Sequence, residues 1–240
     1  MNNSSEFYDQ FIAYQVQSGI NDRILGLYKR LKKYGLSSSS SILEIGCGIG
    51  SLTYLLSRKV KKGTVEATDI SPKSITFAKQ HLTSSQVQLT AGNILQYKPT
   101  NQSFEFILLF DVLEHIPITD HEQLFANIFC WMLDDSLLLI NIPNPEYLVY
   151  TEKHHPEDLQ EVDQPITMEH LTTVLAKNSL TIEYMETYGV WVKNEYQFLV
   201  VRKKTDFKEE RLENSRIFLE KTIVWFERKC RSLSYRYPNI

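Results

Sequence analysis

The sequence predicts a doubly wound α/β sheet, mostly parallel, that ends in an antiparallel hairpin and carries helices at both chain ends. Three observations predict it. Short apolar runs alternate with segments of helical periodicity along most of the 240 residues. The first run leads into Glu44-Ile45-Gly46-Cys47-Gly48-Ile49-Gly50, which reads as the opening strand and glycine turn of a ligand-binding α/β unit. The last two runs are separated only by residues 189–194, too few for a helical crossover, so they pair as a hairpin.

Each element follows from local pattern. Residues 6–34 are helical in character, with Phe7, Phe11, Tyr14, Ile24, Leu27, Tyr28 and Leu31 available to pack. Gly19 and Asn21 are placed to break that segment into two helices. A serine linker leads to the first strand, 41–45, and a short helix, 51–58, follows the glycines. The second strand, 64–68, ends at Asp69. Ser71 is a natural N-cap and Pro72 a natural first helical residue, so a helix runs to about His81. A short third strand covers 87–90. Residues 104–110 are almost continuously apolar, as in a central parallel strand covered on both faces. Leu124, Ile128 and Met132 mark a helix over 123–133, and 136–142 is a fifth strand. Pro143 and Pro145 end it and open a polar loop to Pro165; Thr167 then caps a helix to about Lys177. Strands over 181–188 and 195–203 complete the sheet. The expected organisation is a helical cap (1–40), a core (41–205) with a substrate lid inserted at 143–166, and a C-terminal helix (206–240).

Bulk properties exclude several classes. Hydrophobic content of 42% and charge of 23% suit a soluble globular chain. No apolar run approaches the ~20 residues needed to cross a bilayer. No basic segment leads into an apolar one at the N-terminus, so cytoplasmic localisation is expected. Cys47, Cys130 and Cys230 are scattered, which suggests neither a disulfide framework nor a zinc site. Net charge is −3, but residues 202–240 hold eleven Lys/Arg against six Asp/Glu, leaving −8 on the rest. That acidic body disfavours nucleic acid as a partner.

Glycine spacing narrows the ligand. Dinucleotide sites use G-x-G-x-x-G and phosphate loops end in Gly-Lys-Ser/Thr. Here Gly46, Gly48 and Gly50 alternate, Glu44 stands two places upstream, and no lysine follows. An acid in such a loop suits a ligand with a cationic part rather than a diphosphate. The E-x-G-x-G-x-G pattern resembles the first motif of the class I S-adenosylmethionine-dependent methyltransferases. Asp111-Val112-Leu113-Glu114-His115-Ile116, after the fourth strand, is similar to the motif of the small-molecule (type 11/type 12-like) branch. The two motifs span residues 42–116.

The resemblance implies a Rossmann-like seven-stranded sheet and S-adenosylmethionine as cofactor. It implies cofactor contacts from Glu44, Gly46, Cys47, Gly48 and Gly50, and from Asp69 and Ile70 after the second strand. Asn93, Ile94, Phe110, Asp111 and Val112 complete that set. Asp69 lies 19 residues after Gly50, where a carboxylate accepts from ribose hydroxyls. Asn93 stands where the family commonly has an acid; its amide oxygen serves the adenine amino group more weakly. Tyr14 and Asn144 are expected at the substrate. His115, His154 and His155 are the candidate bases, although the Glu114-His115 pair can equally hold its loop and line the pocket. Residues 151–165 hold two histidines with Glu157, Asp158, Glu161 and Asp163; they read as a solvated lid and no metal is assigned. The expected reaction is methyl transfer to a small-molecule oxygen, a hydroxyl or carboxyl. An amine acceptor, a non-catalytic cofactor-binding subunit and an NAD-dependent oxidoreductase remain open, the last needing the third glycine one place later. The C-terminal helix can pack on its own domain, cover the site or join a homodimer.

Overall fold

The computed structural model describes residues 12–156, 159, 163–206, 209 and 218–234, without the side chains of Tyr14, Phe218, Leu219 and 231–234. The chain divides into two units, Met1–Lys204 and Thr205–Ile240. The described elements of the first unit run α1 (Ile12–Ser18), α2 (Asp22–Lys33), β1 (Ser41–Ile45), α3 (Ser51–Lys59), β2 (Thr64–Asp69), α4 (Pro72–His81) and β3 (Val87–Ala91). They continue with β4 (Phe104–Phe110), α5 (His121–Trp131), β5 (Met132–Pro143), α6 (Pro145–His154), α7 (Met168–Lys177), β6 (Leu180–Tyr188) and β7 (Tyr196–Lys203).

The strands form one seven-stranded sheet in the order β3-β2-β1-β4-β5-β7-β6. The first five are parallel, while β7 runs antiparallel to both β5 and β6. Order reverses between β1 and β4, and the loops leaving their carboxyl ends diverge there. That point is where open α/β sheets bind ligands.

Strand alternation distributes the core over both faces. Leu43, Ile45, Ile107 and Leu109 pack with Leu124, Phe125 and Ile128 of α5 and Leu171, Val174 and Leu175 of α7. Ile42, Phe106 and Leu108 pack on the opposite face with Leu27 and Leu31 of α2 and Leu52 and Leu56 of α3. This two-sided burial explains the unbroken apolar run of β4. Asn21 caps α2 by accepting from the Ile24 N–H, and Ser71 caps α4 by accepting from Ser74, with Pro72 in the first turn.

The segment after β5 differs from the expected polar loop. Residues Pro145–His154 form α6. Asn144 is its N-cap, Pro145 opens it, and Glu146 lies in the first turn near the positive end of the helix dipole. Leu148 and Thr151 give it a buried face. Helix α5 ends at Trp131, two residues before the expected end, and β5 begins at Met132, four residues before the expected start.

In the second unit the described helix is α8, Phe218–Ser234. Ile223, Trp225 and Phe226 are more than half exposed on it. Phe7 and Phe11, counted as packing residues above, lie outside the described residues. Among the described residues no helix is long and apolar enough to cross a membrane.

Asn144 provides a stability test of this architecture. It is buried; its Nδ2 donates to Asn194 O (2.9 Å), and its Oδ1 accepts from Gln197 Nε2 (3.3 Å) and from the Glu146 N–H (3.4 Å). Asn144→Ala is expected to destabilise the fold by about 1–3 kcal/mol in urea unfolding. Cofactor affinity in the folded variant should be unchanged in calorimetry.

Candidate active site

The turn after β1 is built on backbone that only glycine adopts without strain. Gly46, Gly48 and Gly50 have φ of +74°, +53° and +86°. The Gly46 and Cys47 amides both donate to Thr68 O, at 2.7 and 3.0 Å, which seats the turn on the end of β2. The Gly48 amide donates to Asp69 Oδ2 (2.7 Å), and Asp69 Oδ1 accepts from the Ser71 amide (2.9 Å). A Cβ on Gly46 would lie 2.1 Å from Val112 Cγ2, and one on Gly48 would lie 2.8 Å from Gln15 Nε2. Gly50 differs: it caps α3, and a Cβ there would lie 2.7 Å from Leu82 Cδ1. Its missing side chain serves helix packing.

Below the turn, Glu44 is buried and accepts from Thr53 Oγ1 at 2.7 Å. Burial pushes its carboxyl up to about 8, against the Thr53 hydrogen bond; the Asp69 charge adds to the rise. Burial likewise raises the Cys47 thiol, with Glu44 and Asp69 adding to it.

The end of β4 forms the opposite wall. Asp111 has φ of +55°, a conformation uncommon for a residue with a side chain. Asn141 holds it from both ends: the Asp111 amide donates to Asn141 O (2.8 Å) and Asn141 Nδ2 donates to Asp111 Oδ1 (2.7 Å). Tyr188 O–H in turn donates to Asn141 Oδ1 at 2.8 Å. Arg23 of α2 places Nε 3.2 Å from Asp111 Oδ2, an ion pair without hydrogen-bond alignment. Its Nη1 donates to Tyr196 Oη at 3.1 Å. Burial disfavours the Arg23 charge, but Asp111, Tyr196 and Glu114 together outweigh it and the guanidinium is held more firmly protonated than usual. Burial also lifts the Tyr196 phenol to about 12, against the neighbouring Arg23 charge.

His115 closes the short 3-10 turn Leu113–His115. Its Nδ1 is 3.1 Å from Asp163 Oδ1 and its Nε2 is 3.9 Å from Glu114 Oε1. Glu114 is almost wholly buried, and its Oε2 has no hydrogen-bond partner. Burial raises its carboxyl, partly offset by His115 and reinforced by Asp111.

These walls enclose a cavity of about 1130 Å³. Of the expected residues, Glu44, Gly46, Cys47, Gly48, Asp69 and Ile70 line it. So do Asn93, Ile94, Phe110, Asp111, Val112 and His115. Asn93 Oδ1 caps the turn Ile94–Gln96 by accepting from the Leu95 amide (2.9 Å), so the oxygen expected at adenine already has a backbone partner. Gly50 and Asn144 lie away from the lining and act on helix packing and helix capping instead. His154 and His155 are also away from it: both are exposed at the C-terminal end of α6, beside Tyr150. As part of a polar loop they would be candidate bases; helix Pro145–His154 instead carries both past the lining. The Tyr14 side chain and residues Glu157, Asp158 and Glu161 lie outside the described residues. Among the described residues no His/Cys/Asp/Glu group is arranged to hold a metal ion.

The structure adds lining residues that motif reading missed: Gln15, Arg23, Tyr147, Asp163, Trp191 and Tyr196. The lining fits a ligand with adenosine, sulfonium and amino-acid parts. A bare-backbone cradle faces Val112, and the buried Oε1 of Gln15, without a hydrogen-bond partner, lines the cavity with the Asp69 carboxylate.

Comparison with known proteins agrees with this geometry. Residues 42–133 match the family described as Methyltransferase domain. A malonyl-[acyl-carrier protein] O-methyltransferase from Priestia megaterium is 34% identical over 93 residues, 39% of this chain and 32% of that protein. An (S)-coclaurine N-methyltransferase from Papaver somniferum is 25% identical over 214 residues, 88% of this chain and 57% of that protein. The structure of magnesium protoporphyrin IX methyltransferase from Synechocystis PCC 6803 with bound SAM aligns with a TM-score of 0.58 at 15% identity, covering 81% of this chain and 84% of that one. The chain spans between 32% and 57% of the length of the curated relatives it first matches. The sheet order and the match over residues 42–133 are those of the class I methyltransferases. S-adenosylmethionine is the cofactor of that class.

Two consequences can be measured. The Glu44 carboxyl is at about 8 in the fold against an ordinary 4.5, so the native state binds more protons than the unfolded chain between those values. Its contribution is fully present below about 4.5 and is lost as pH rises through about 8. Urea unfolding between pH 5 and 9 should show wild type losing stability relative to Glu44→Gln, by up to about 1.4 kcal/mol per pH unit. Parallel profiles would contradict the buried acid. Asp69→Ala should weaken S-adenosylhomocysteine binding by about 1.5–3 kcal/mol in calorimetry, the range for hydrogen bonds to charged groups.

Proposed function

We propose that this chain transfers a methyl group from S-adenosylmethionine to a small-molecule acceptor through an oxygen nucleophile. The carrying observation is the extent of the cavity. At about 1130 Å³ it exceeds the usual range for one small ligand, about 300–1,000 Å³, and its lining runs from the glycine turn to His115, Tyr147 and Tyr196. That leaves room for an acceptor beside the cofactor.

The residues divide the work. Asp69, the glycine turn, Ile70, Asn93 and Val112 would hold the adenosine end, and Gln15 would accept from the cationic amine. The cofactor supplies an electrophilic methyl carbon on a sulfonium. Walls from α2, the Leu113–His115 turn, α6 and β7 would orient the acceptor, and alignment of this kind can supply roughly 7–11 kcal/mol of barrier lowering. His115 would take the proton of an acceptor hydroxyl, which adds about 10²–10⁴-fold. The lining is rich in carboxylates, with Asp111, Asp120, Asp163 and Glu195 against Arg23, which favours a neutral hydroxyl over an anionic carboxyl. The same lining would tolerate an amine acceptor, the second reading. Pairing of two chains through α8 belongs to the proposal and is supported by its exposed Ile223, Trp225 and Phe226.

S-adenosylmethionine and S-adenosylhomocysteine should each stabilise the chain, by about 2.7 kcal/mol at a hundredfold excess over Kd. A thermal-shift panel against NAD checks this; a shift with NAD alone would overturn the reading. Release of S-adenosylhomocysteine across matched hydroxyl and amine libraries then separates oxygen from nitrogen acceptors.

A further inference from the structure

We propose that Asp163 is a positioning residue for His115, accepting the imidazole Nδ1–H so that Nε2 is the atom that takes the acceptor's proton. This rests on the reading of His115 as the base of an oxygen methyltransferase. It assigns a role to a residue of the segment between α6 and α7 that sequence alone grouped with solvated acids.

The geometry is specific. Asp163 Oδ1 lies 3.1 Å from His115 Nδ1, with the two side chains only 10% and 12% exposed, and both residues line the cavity. An ionised carboxylate only accepts, so Nδ1 must carry a proton, and a neutral ring then has its lone pair on Nε2. The contact is held from behind. The Gln164 amide donates to Glu114 O (3.0 Å), and Gln164 Nε2 donates to Glu114 O (3.3 Å) and Ile116 O (3.0 Å). Ile166 is buried two residues on. Three hydrogen bonds to the backbone on either side of His115 therefore fix the height at which Asp163 meets the ring. Among the described residues, the titratable groups at this turn include Glu114, with Oε1 3.9 Å from Nε2, the Arg23–Asp111 pair, which acts on Glu114, and His121, whose Nε2 lies 2.9 Å from Ile116 O.

The step balances. The acceptor O–H bond breaks and its proton goes to Nε2. The acceptor oxygen forms a bond to the methyl carbon as the carbon–sulfur bond breaks, its electron pair staying on sulfur. The positive charge that leaves the sulfonium reappears on the imidazolium, beside Asp163. A carboxylate there orients the ring before transfer and stabilises it afterwards.

The test is the tautomer of His115 in the 240-residue chain labelled with [¹⁵N]histidine. Long-range ¹H–¹⁵N correlation at a pH where the ring is neutral reads both nitrogens, and His115→Gln assigns the signals. Wild type should show Nδ1 protonated. Asp163→Ala should move His115 to the Nε2–H form that imidazole prefers in water. Asp163→Asn, whose amide oxygen still accepts, should restore the wild-type pattern. A wild-type ring already in the Nε2–H form, or an Asp163→Ala spectrum identical to wild type, overturns the proposal. A thermal shift with S-adenosylmethionine on each variant confirms an intact fold and separates the two readings. Cofactor binding without the Nδ1–H pattern removes only the role of Asp163. The pattern without cofactor binding upholds the pairing and removes the methyltransferase reading.

Discussion

The carboxylate of Asp69 is the interaction on which the site depends. It ties the turn after β1 to the turn after β2 by accepting from Gly48 and Ser71, one amide on each oxygen. The turn could not come so near without glycine, because its three glycines all have positive φ and a Cβ on Gly46 would overlap Val112. Nor could it hold its place without the register of β1 and β2, which sets Ile45 beside Thr68 and so presents the Thr68 carbonyl to two further amides. Strand pairing, backbone conformation and one charged acceptor thus fix the same loop from three directions. A hydrogen bond to a charged group is the strongest of these in a partly buried setting.

The far wall is fixed by a different device. Asp111 is held in a left-handed conformation by Asn141, and Asn141 is held by Tyr188. Arg23 then joins Asp111 to Tyr196, 173 residues away in sequence. Arg30 of the same helix stacks over the Tyr188 ring at 3.8 Å and pairs with Glu186 at 2.6 Å. The helix before the sheet and the hairpin that ends it are therefore joined around one cluster of charges and phenols. Removing one member of such a buried network leaves the others uncompensated, so the wall behaves as a unit.

How much of this was legible follows from range. Helix starts were legible where a cap lies within three residues of its amide, as at Ser71 and Thr167. Strands were legible because burial on both faces leaves an unbroken apolar run in β4. The glycine turn and Asp69 were legible because backbone conformation and strand ends have local signatures. Helix α6 carried such a signature in Asn144-Pro145-Glu146, but two prolines and a polar stretch outweighed it, and so His154 and His155 stood among the candidate bases. Asn144 was read as facing substrate, whereas its side chain serves the helix it precedes. Arg23, Tyr196 and Asp163 had no local signal. Each matters through a partner 48 or more residues distant, and only the closed sheet brings those partners together.

Charge in the cavity is smaller than a count of acids suggests, and this bears on what it would accept. Burial raises the carboxyls of Glu44 and Glu114, so both tend to keep their protons near neutral pH. Asp111 is paired with the Arg23 guanidinium, while Asp163 faces a His115 ring that is neutral before transfer. The negative side of the lining therefore comprises Asp69, Asp120, Asp163 and Glu195, distributed from the glycine turn to the His115 wall. A cationic sulfonium is attracted by that field along its whole path, whereas a carboxylate acceptor would meet it uncompensated. An acceptor that enters neutral and loses its proton only at His115 avoids the repulsion, because its negative charge develops beside the cation that consumes it. The field thus supports a hydroxyl acceptor for the same reason that it supports the cofactor.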